Sequence, residues 1–385
     1  MKKYLGTTFR LAIAVAGIAY IGLTLNWSDR VVMPDGQTIA VTDVDAQWVT
    51  LADAPRKPGD LVMEGLRVGR APLETGESDQ ARFEPSVSTT IVEANTGLLV
   101  LGIVIFAPIY LIGSVRWYLL MKVRGLPVTF AKTFRLTMVG VFFNICMPGS
   151  TGGDLMKAYY AAKGSGQRTV AVMTVVVDRV CGLLGLIIFV AVIGLTMLDN
   201  PTIRQITVLM WAVLIGFLVF LWLYSHPKLR AAVGFDWLMG KLPGGKALRS
   251  IDDAVVAYRD HKPTLGLAVL ITLPIHLMVA LAISLAGYAL GISQPISYLL
   301  GTIPVAVLVG SLPISGPLGL GPMDIVTVEL LKDPVLASAH QVAMMMVVYR
   351  FYAIVIGLLG SLALVRGGIH LHTQDDPDDA ADQAR

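Results

Sequence analysis

Long apolar runs separated by short polar stretches organise this chain. Runs at 9–25, 94–113, 169–197, 205–224, 265–290 and 341–365 approach or exceed the roughly 18–20 apolar residues needed to cross ~30 Å of hydrocarbon. They predict six full spans. Two other apolar runs behave differently. Residues 133–147 reach only about 22 Å at 1.5 Å per residue and stop at Pro148-Gly149, and residues 298–312 stop at Pro313. Each run leads into small residues and glycines, then an acid: Asp154 after Ser150-Thr151-Gly152-Gly153, Asp324 after Gly319-Leu320-Gly321. Backbone at membrane depth can leave the helical state only where protein or a wet cavity receives its polar groups. Both runs are therefore predicted to be re-entrant hairpins. Turning back also keeps Lys157, Lys163 and Arg168 on the same side as Lys122, Arg124 and Lys132, as the positive-inside rule requires.

The polar residues between the first two spans read differently. Val31-Val32-Met33, 38–42, 47–51 and 61–68 alternate like short strands, with Asp35-Gly36 as a turn signal. Lys2, Lys3 and Arg10 before the first run place the N-terminus in the cytoplasm, which puts 26–93 outside. The expected division is a signal-anchor span at 1–25, an extracytoplasmic β-rich module at 26–93, a transmembrane domain at 94–366 and a disordered acidic tail at 367–385. Arg116-Trp117-Tyr118 is expected at a cytoplasmic interface. Residues 226–263, with seven Lys/Arg against four Asp, form a cytoplasmic loop with an amphipathic helix near 248–258.

An internal repeat is visible. Residues 94–197 and 265–365 each give a span, a broken hairpin with an acid, and a span bearing an arginine; 175–186 (VVVDRVCGLLGL) reads like 347–360 (VVYRFYAIVIGLLG). The odd span between them inverts one unit relative to the other. Inverted repeats with broken helices at the midplane are a transporter architecture. The predicted fold class is thus an all-α polytopic membrane protein of about six spans plus two re-entrant hairpins in inverted-topology repeats, carrying a small β-rich insertion, in the inner (cytoplasmic) membrane.

Composition agrees: 55% of the 385 residues are hydrophobic, only 15% are charged, and mean hydropathy is +0.69. A net charge of +3 speaks to orientation and gives no reason to expect a nucleic-acid partner. Cys146 and Cys181 both lie in apolar runs and read as buried thiols. Phosphate-binding Gly-Lys-Ser/Thr loops, His-Glu-x-x-His and nucleophile elbows are missing from the sequence, so no cofactor, metal or ATP is expected.

The charges inside apolar runs are the candidate chemistry. Asp178 and Arg179 lie about 15 Å into the third span, and Arg350 lies comparably deep in the sixth. A charge at such depth costs about 2.5–3.5 kcal/mol on insertion scales, so each faces the bundle interior and finds a partner. Adjacent on one helix, Asp178 and Arg179 point about 100° apart and reach for other elements, with Asp154 and Asp324 as candidates. One reading is a set of ion pairs tying hairpins to helices. The other is a cavity where guanidinium groups meet a phosphate. Glu329 faces either this cavity or the outer surface. Asn144 caps or bridges helices, His276 packs, and Met344, Met345 and Met346 are packing or lipid-facing residues. Asp43-Val44-Asp45 is a weak match to metal-dependent sugar transfer.

Taken together, Arg116-Trp117, the Asn144…Pro148-Gly149…Gly153-Asp154…Lys157 hairpin, Asp178-Arg179 before a glycine-rich helix, Pro313…Gly319-Leu320-Gly321 and Tyr349-Arg350 resemble the lysylphosphatidylglycerol synthase transmembrane-region family. This is the flippase-like membrane half of the bacterial multiple peptide resistance factor, also found as stand-alone proteins. The resemblance covers about 94–366 and leaves 26–93 unexplained. It implies translocation of a phospholipid or lipid-linked compound between leaflets, with Arg116, Asn144, Asp154, Asp178, Arg179, Asp324, Glu329 and Arg350 as substrate-binding residues. The family usually has Glu where Asp154 and Asp324 stand. The soluble aminoacyl-transferase domain of the full-length factor has no counterpart in this sequence, so the expectation is a carrier more than an enzyme. Alternatives are a membrane glycosyltransferase using a polyprenyl-phosphate sugar and an envelope scaffold. Further expected partners are an envelope component at 26–93 and a second copy in a homodimer.

Overall fold

The structure, a computed structural model, describes residues 12, 15–33, 38–45, 47–52, 67–69, 82–146, 152–163, 167–225, 258, 261–312, 315–333 and 336–366. Pro148-Gly149, Ser150-Thr151, Pro313, the start of the first apolar run, nearly all of 226–260 and the tail from 367 lie outside the described residues.

Five described helices are long and apolar enough to cross a membrane, by length and composition: Thr96–Val123, Arg168–Met197, Pro201–Phe220, Lys262–Ala289 and Ala339–Leu362. They coincide with five of the six expected spans; the first is described over Val15–Thr24. In chain order the helices are α1 (Val15–Thr24), α2 (Val87–Glu93), α3 (Thr96–Phe106), α4 (Pro108–Val123), α5 (Phe130–Cys146), α6 (Gly152–Lys163), α7 (Arg168–Ile193), α8 (Pro201–Ser225), α9 (Lys262–Ala289), α10 (Ile296–Gly310), α11 (Pro322–Leu331) and α12 (Ala339–Arg366). A row of large apolar side chains on α3 and α4 (Val100, Leu101, Val104, Leu111, Val115) and another on α8 (Val208, Leu209, Val213, Ile215, Leu218) face outward. So much exposed apolar surface on long helices fits a lipid solvent. This is a mostly helical, multi-pass membrane protein.

One boundary moves. The second span does not end before Arg116; α3 and α4 run on, with a break at Ala107-Pro108, to Val123. Arg116 does not stop the helix because its charge is met inside the bundle. Trp117, expected at an interface, is wholly buried and donates its indole N–H to Thr174 Oγ1 at 3.1 Å.

The segment between the first two spans folds as an antiparallel sheet of β1 (Arg30–Val32), β2 (Thr38–Val44), β3 (Trp48–Leu51), β4 (Arg67–Gly69) and β5 (Arg82–Glu84), in the order β4-β3-β2-β1-β5. Alternation sets the register: Val31 pairs with Ile39 and Phe83, and these join Val49 and Leu51 in one small core. β5 went unread in the sequence because three residues carry too little periodicity.

A buried histidine helps to fasten this sheet to the helices. His340, on the first turn of α12, accepts the Asn26 N–H at Nδ1 (2.9 Å), and its Nε2 lies 3.1 Å from Thr90 Oγ1 on α2. With Nδ1 an acceptor, the ring proton of the neutral histidine is on Nε2 and is donated to the threonine. The main expanse of the helical core packs α9, α10 and α12 around Ile283, Leu299, Ile303, Met345 and their neighbours. Against it, α1 crosses the loop before α11 so closely that Gly17 has no space for a Cβ over the Gly321 backbone. Replacing His340 with Ala strands a buried amide and a buried hydroxyl. A loss of about 1–3 kcal/mol is expected, read as a lowered thermal unfolding temperature in detergent and faster protease nicking at residues 26–93.

Candidate functional site

Between α4, α5, α6, α7, α9 and the end of α10 lies a cavity of about 570 Å³, in the size range of small-ligand sites. Its walls are largely apolar (Ile109, Leu183, Leu186, Ile275, Val307, Leu312), and one side carries five charged side chains: Arg116, Asp154, Lys157, Asp178 and Arg179.

Asp178 is the hub. Its carboxylate is buried on α7 and accepts Arg116 Nε at Oδ1 (2.8 Å) and Lys157 Nζ at Oδ2 (3.4 Å). Both cations are steered from other directions. Arg116 Nη1 donates to Thr272 Oγ1 on α9 at 2.8 Å. Thr272 is free to accept because its own O–H goes to Ala268 O. Lys157 Nζ stands 4.3 Å from the centre of the Trp117 ring, a cation–π contact in a desolvated place. One carboxylate therefore balances two buried cations, each held by a neutral partner as well.

Arg179, one residue on, points elsewhere, as helical geometry demands. Its Nη1 lies 3.5 Å from Asp154 Oδ2, and its Nη2 donates to the carbonyl of Ser311, just past α10, at 3.2 Å. This pair is open: the side chains of Arg179 and Asp154 are 44% and 25% exposed. Asp154 sits in the first turn of α6, where an acid complements the helix dipole. Asn144 near the end of α5 accepts the N–H of Gly153 at 2.8 Å, so it caps α6 from across the break.

The expected residues thus fall into three places. Arg116, Asn144, Asp154, Asp178 and Arg179 line one cavity. Asp324 and Arg350 pair outside its lining: Arg350 Nη2 donates to Asp324 Oδ2 at 2.8 Å, with Oδ1 at 2.7 Å, and Oδ2 also accepts the N–H of Gly321. Gly321 has φ +93°, a conformation open to glycine, so this acid holds the turn that starts α11. Glu329 is set apart on an exposed face of α11, paired with Lys332 at 2.7 Å. His276 packs as expected, Nε2 3.3 Å from Gly182 O, yet also lines the cavity. Asp43 lies exposed on β2, and Asp45 beside it accepts the Gln47 N–H; both are absent from the cavity lining.

Lys157, Thr272 and Ser311 were missed as site residues. For Lys157 a signal existed: a lysine one helical turn after Asp154, in line with the acid. Thr272 and the Ser311 carbonyl carry no sequence signal, since only the packing of α9 and α10 brings them here.

A long-helix bundle with a charged cavity in its interior defines a polytopic membrane protein with a polar internal site. More particularly, the profile of the family described as "Lysylphosphatidylglycerol synthase TM region" matches residues 86–360, and the chain belongs to that family. It is also similar to the UPF0104 membrane protein MJ1595 of Methanocaldococcus jannaschii, 30% identical over 92 residues, which cover 23% of this chain. The aligned stretch spans 27% of that relative's length.

Replacing Asp178 with Ala leaves Arg116 and Lys157 buried without their carboxylate. A destabilisation of about 3–5 kcal/mol is expected, seen as loss of the folded, monodisperse protein in detergent. Asp178→Asn keeps the shape and an acceptor oxygen and is expected to lose less.

Proposed function

We propose that this protein moves a phosphate-bearing lipid, a phospholipid or a lipid-linked compound, between the leaflets of the cytoplasmic membrane. The observation that carries the reading is the cavity: three cations (Arg116, Lys157, Arg179) face two carboxylates (Asp154, Asp178) in an otherwise apolar chamber among membrane-crossing helices. That leaves one positive charge in excess. A phosphate is the natural match for a guanidinium in such a place, and the lipid's acyl chains stay in the bilayer beside the apolar walls. Arg179, half exposed and held among the described residues by a 3.5 Å ion pair and one carbonyl, is the cation able to exchange partners.

Topology supports the same reading. At about 1.5 Å per residue, α5 and α6 with 17 and 12 residues, and α10 and α11 with 15 and 10, are short for crossings. We read each pair as a re-entrant hairpin. α5 packs on α12 while α10 packs on α7, so each hairpin lies against the arginine-bearing helix of the other half. That exchange is what inverted-topology repeats produce. Both termini then lie in the cytoplasm and the sheet lies outside, where an envelope partner can reach it.

The test uses the full chain in liposomes with fluorescent phosphatidylglycerol, scoring the fraction protected from an impermeant quencher over time. Arg179→Ala is expected to stay folded, being at an exposed position, and to slow translocation by about tenfold or more. Arg179→Lys is expected to recover part of the rate, since a point charge lacks the planar fork. Translocation unchanged in Arg179→Ala removes the cavity from the mechanism.

A further inference from the structure

The sheet meets the helices through two chain segments, residues 25–29 between α1 and β1 and residues 85–86 between β5 and α2. Their polar groups are laced together. Asp29 accepts the Ser86 N–H at Oδ1 (2.6 Å) and the Thr89 O–H at Oδ2 (2.9 Å). The Val87 N–H donates to Asn26 O at 2.9 Å, and Arg30 and Asn26 both donate to Glu84 Oε2. Because β1 and β5 pair antiparallel with Arg30 opposite Glu84, both strands meet this stem at the same end.

Large apolar side chains nevertheless stand out from the stem and the helix ends beside it. Leu23 is 88% exposed, Trp27 73%, Ile91 59% and Val92 84%. Trp27 follows the buried Asn26, and its indole N–H turns back to the Gly22 carbonyl in the last turn of α1, at 3.1 Å. Its polar atom is thus satisfied by a helix-end carbonyl while most of the ring is left uncovered. On α2, Thr90 is buried against His340, and the next two residues, Ile91 and Val92, are turned away from the protein.

What covers them follows from where they are. Leu23 and Trp27 flank the end of α1, and Val92 lies just before Thr96, where a membrane-crossing run begins. Farther along the same helices Val15, Ile18, Val100 and Val104 are exposed as well. Apolar exposure therefore carries over from the spans onto the stem, and stops there. The exposed side chains described on β2 are small or polar: Thr38, Ala40, Thr42 and Asp43. A docked protein would call for an apolar patch reaching onto the sheet. A bilayer calls for one that ends at headgroup level, where tryptophan is enriched and short apolar faces settle about 5–10 Å into the headgroup–acyl boundary.

We propose that α2 and Trp27 lie in the interfacial layer of the leaflet at this end of the spans, with Leu23, Ile91 and Val92 among phospholipids. A lipid surface is then a partner of the sheet's stem and holds the β1–β5 edge against the membrane. This goes beyond the carrier reading and is independent of what the cavity takes.

The experiment uses the full chain with Cys146→Ser and Cys181→Ala, in phosphatidylcholine liposomes, carrying bimane on one introduced cysteine. Quenching is read with phosphatidylcholine spin-labelled shallow or deep on its acyl chain, in both leaflets, and with aqueous iodide. Val104→Cys marks the span and Thr42→Cys marks water. The label at Val92→Cys is expected to be quenched about twofold more by the shallow spin label than by the deep one, and weakly by iodide, as an interfacial depth requires. Val104→Cys is expected to reverse the two lipid responses, and Thr42→Cys to respond to iodide alone. If Val92→Cys behaves like Thr42→Cys, the stem stands clear in water and the proposal falls. If it is shielded from all three quenchers, a protein surface covers it, and the proposal falls equally. Neither outcome touches the carrier reading.

Discussion

Everything in the helical bundle has to accommodate the carboxylate of Asp178 between Arg116 and Lys157. Three charges in a region of low dielectric persist only if each is matched in geometry and its spare donors are satisfied. Meeting that demand takes residues from four helices. α4 supplies Arg116 and the Trp117 ring, α6 supplies Lys157, α7 the acid, and α9 the hydroxyl of Thr272. Fixing those positions fixes the distance between α4, α7 and α9. It also fixes where the short α6 is anchored, and so where the half-exposed Asp154–Arg179 pair lies. The hub is closed in protein, and its neighbour is open.

Much of this was legible in the chain, for reasons that can be named. The short apolar runs before each glycine-rich break, and the segments that follow each acid, appear as helices α5–α6 and α10–α11 where the pattern put them. Strands β1, β2 and β3 followed from alternation and the Asp35-Gly36 turn signal. Charges in apolar runs announced themselves through their cost. Partners did not. Nothing in the spacing pairs Asp178 with Arg116 rather than with another cation, because that depends on how α4 is rotated against α7. Arg116 itself was mistaken for an interfacial residue for the same reason: a charge ends a span only when nothing inside the bundle answers it. The sequence likewise left open which of the two arginine–acid pairs is exposed, since both are built from the same residue types.

Family membership and geometry bear on different questions. Belonging to the lysylphosphatidylglycerol synthase TM region family covers 86–360, the helical part. It does not reach the five-stranded sheet, which is joined to the matched part where Asn26 meets His340 beside Thr90. That contact joins the sheet to the first turn of α12, the helix that carries Arg350.

The contact of Gly17 with Gly321 has a consequence of its own. Where α1 crosses the turn that opens α11, two bare backbones meet with no side chain between them. Such a seam has neither knobs to interlock nor charges to pair, and its closeness depends on both positions lacking a side chain. A single methyl group inserted at Gly17 acts as a wedge: size alone, with no change in polarity, forces the helix off the turn.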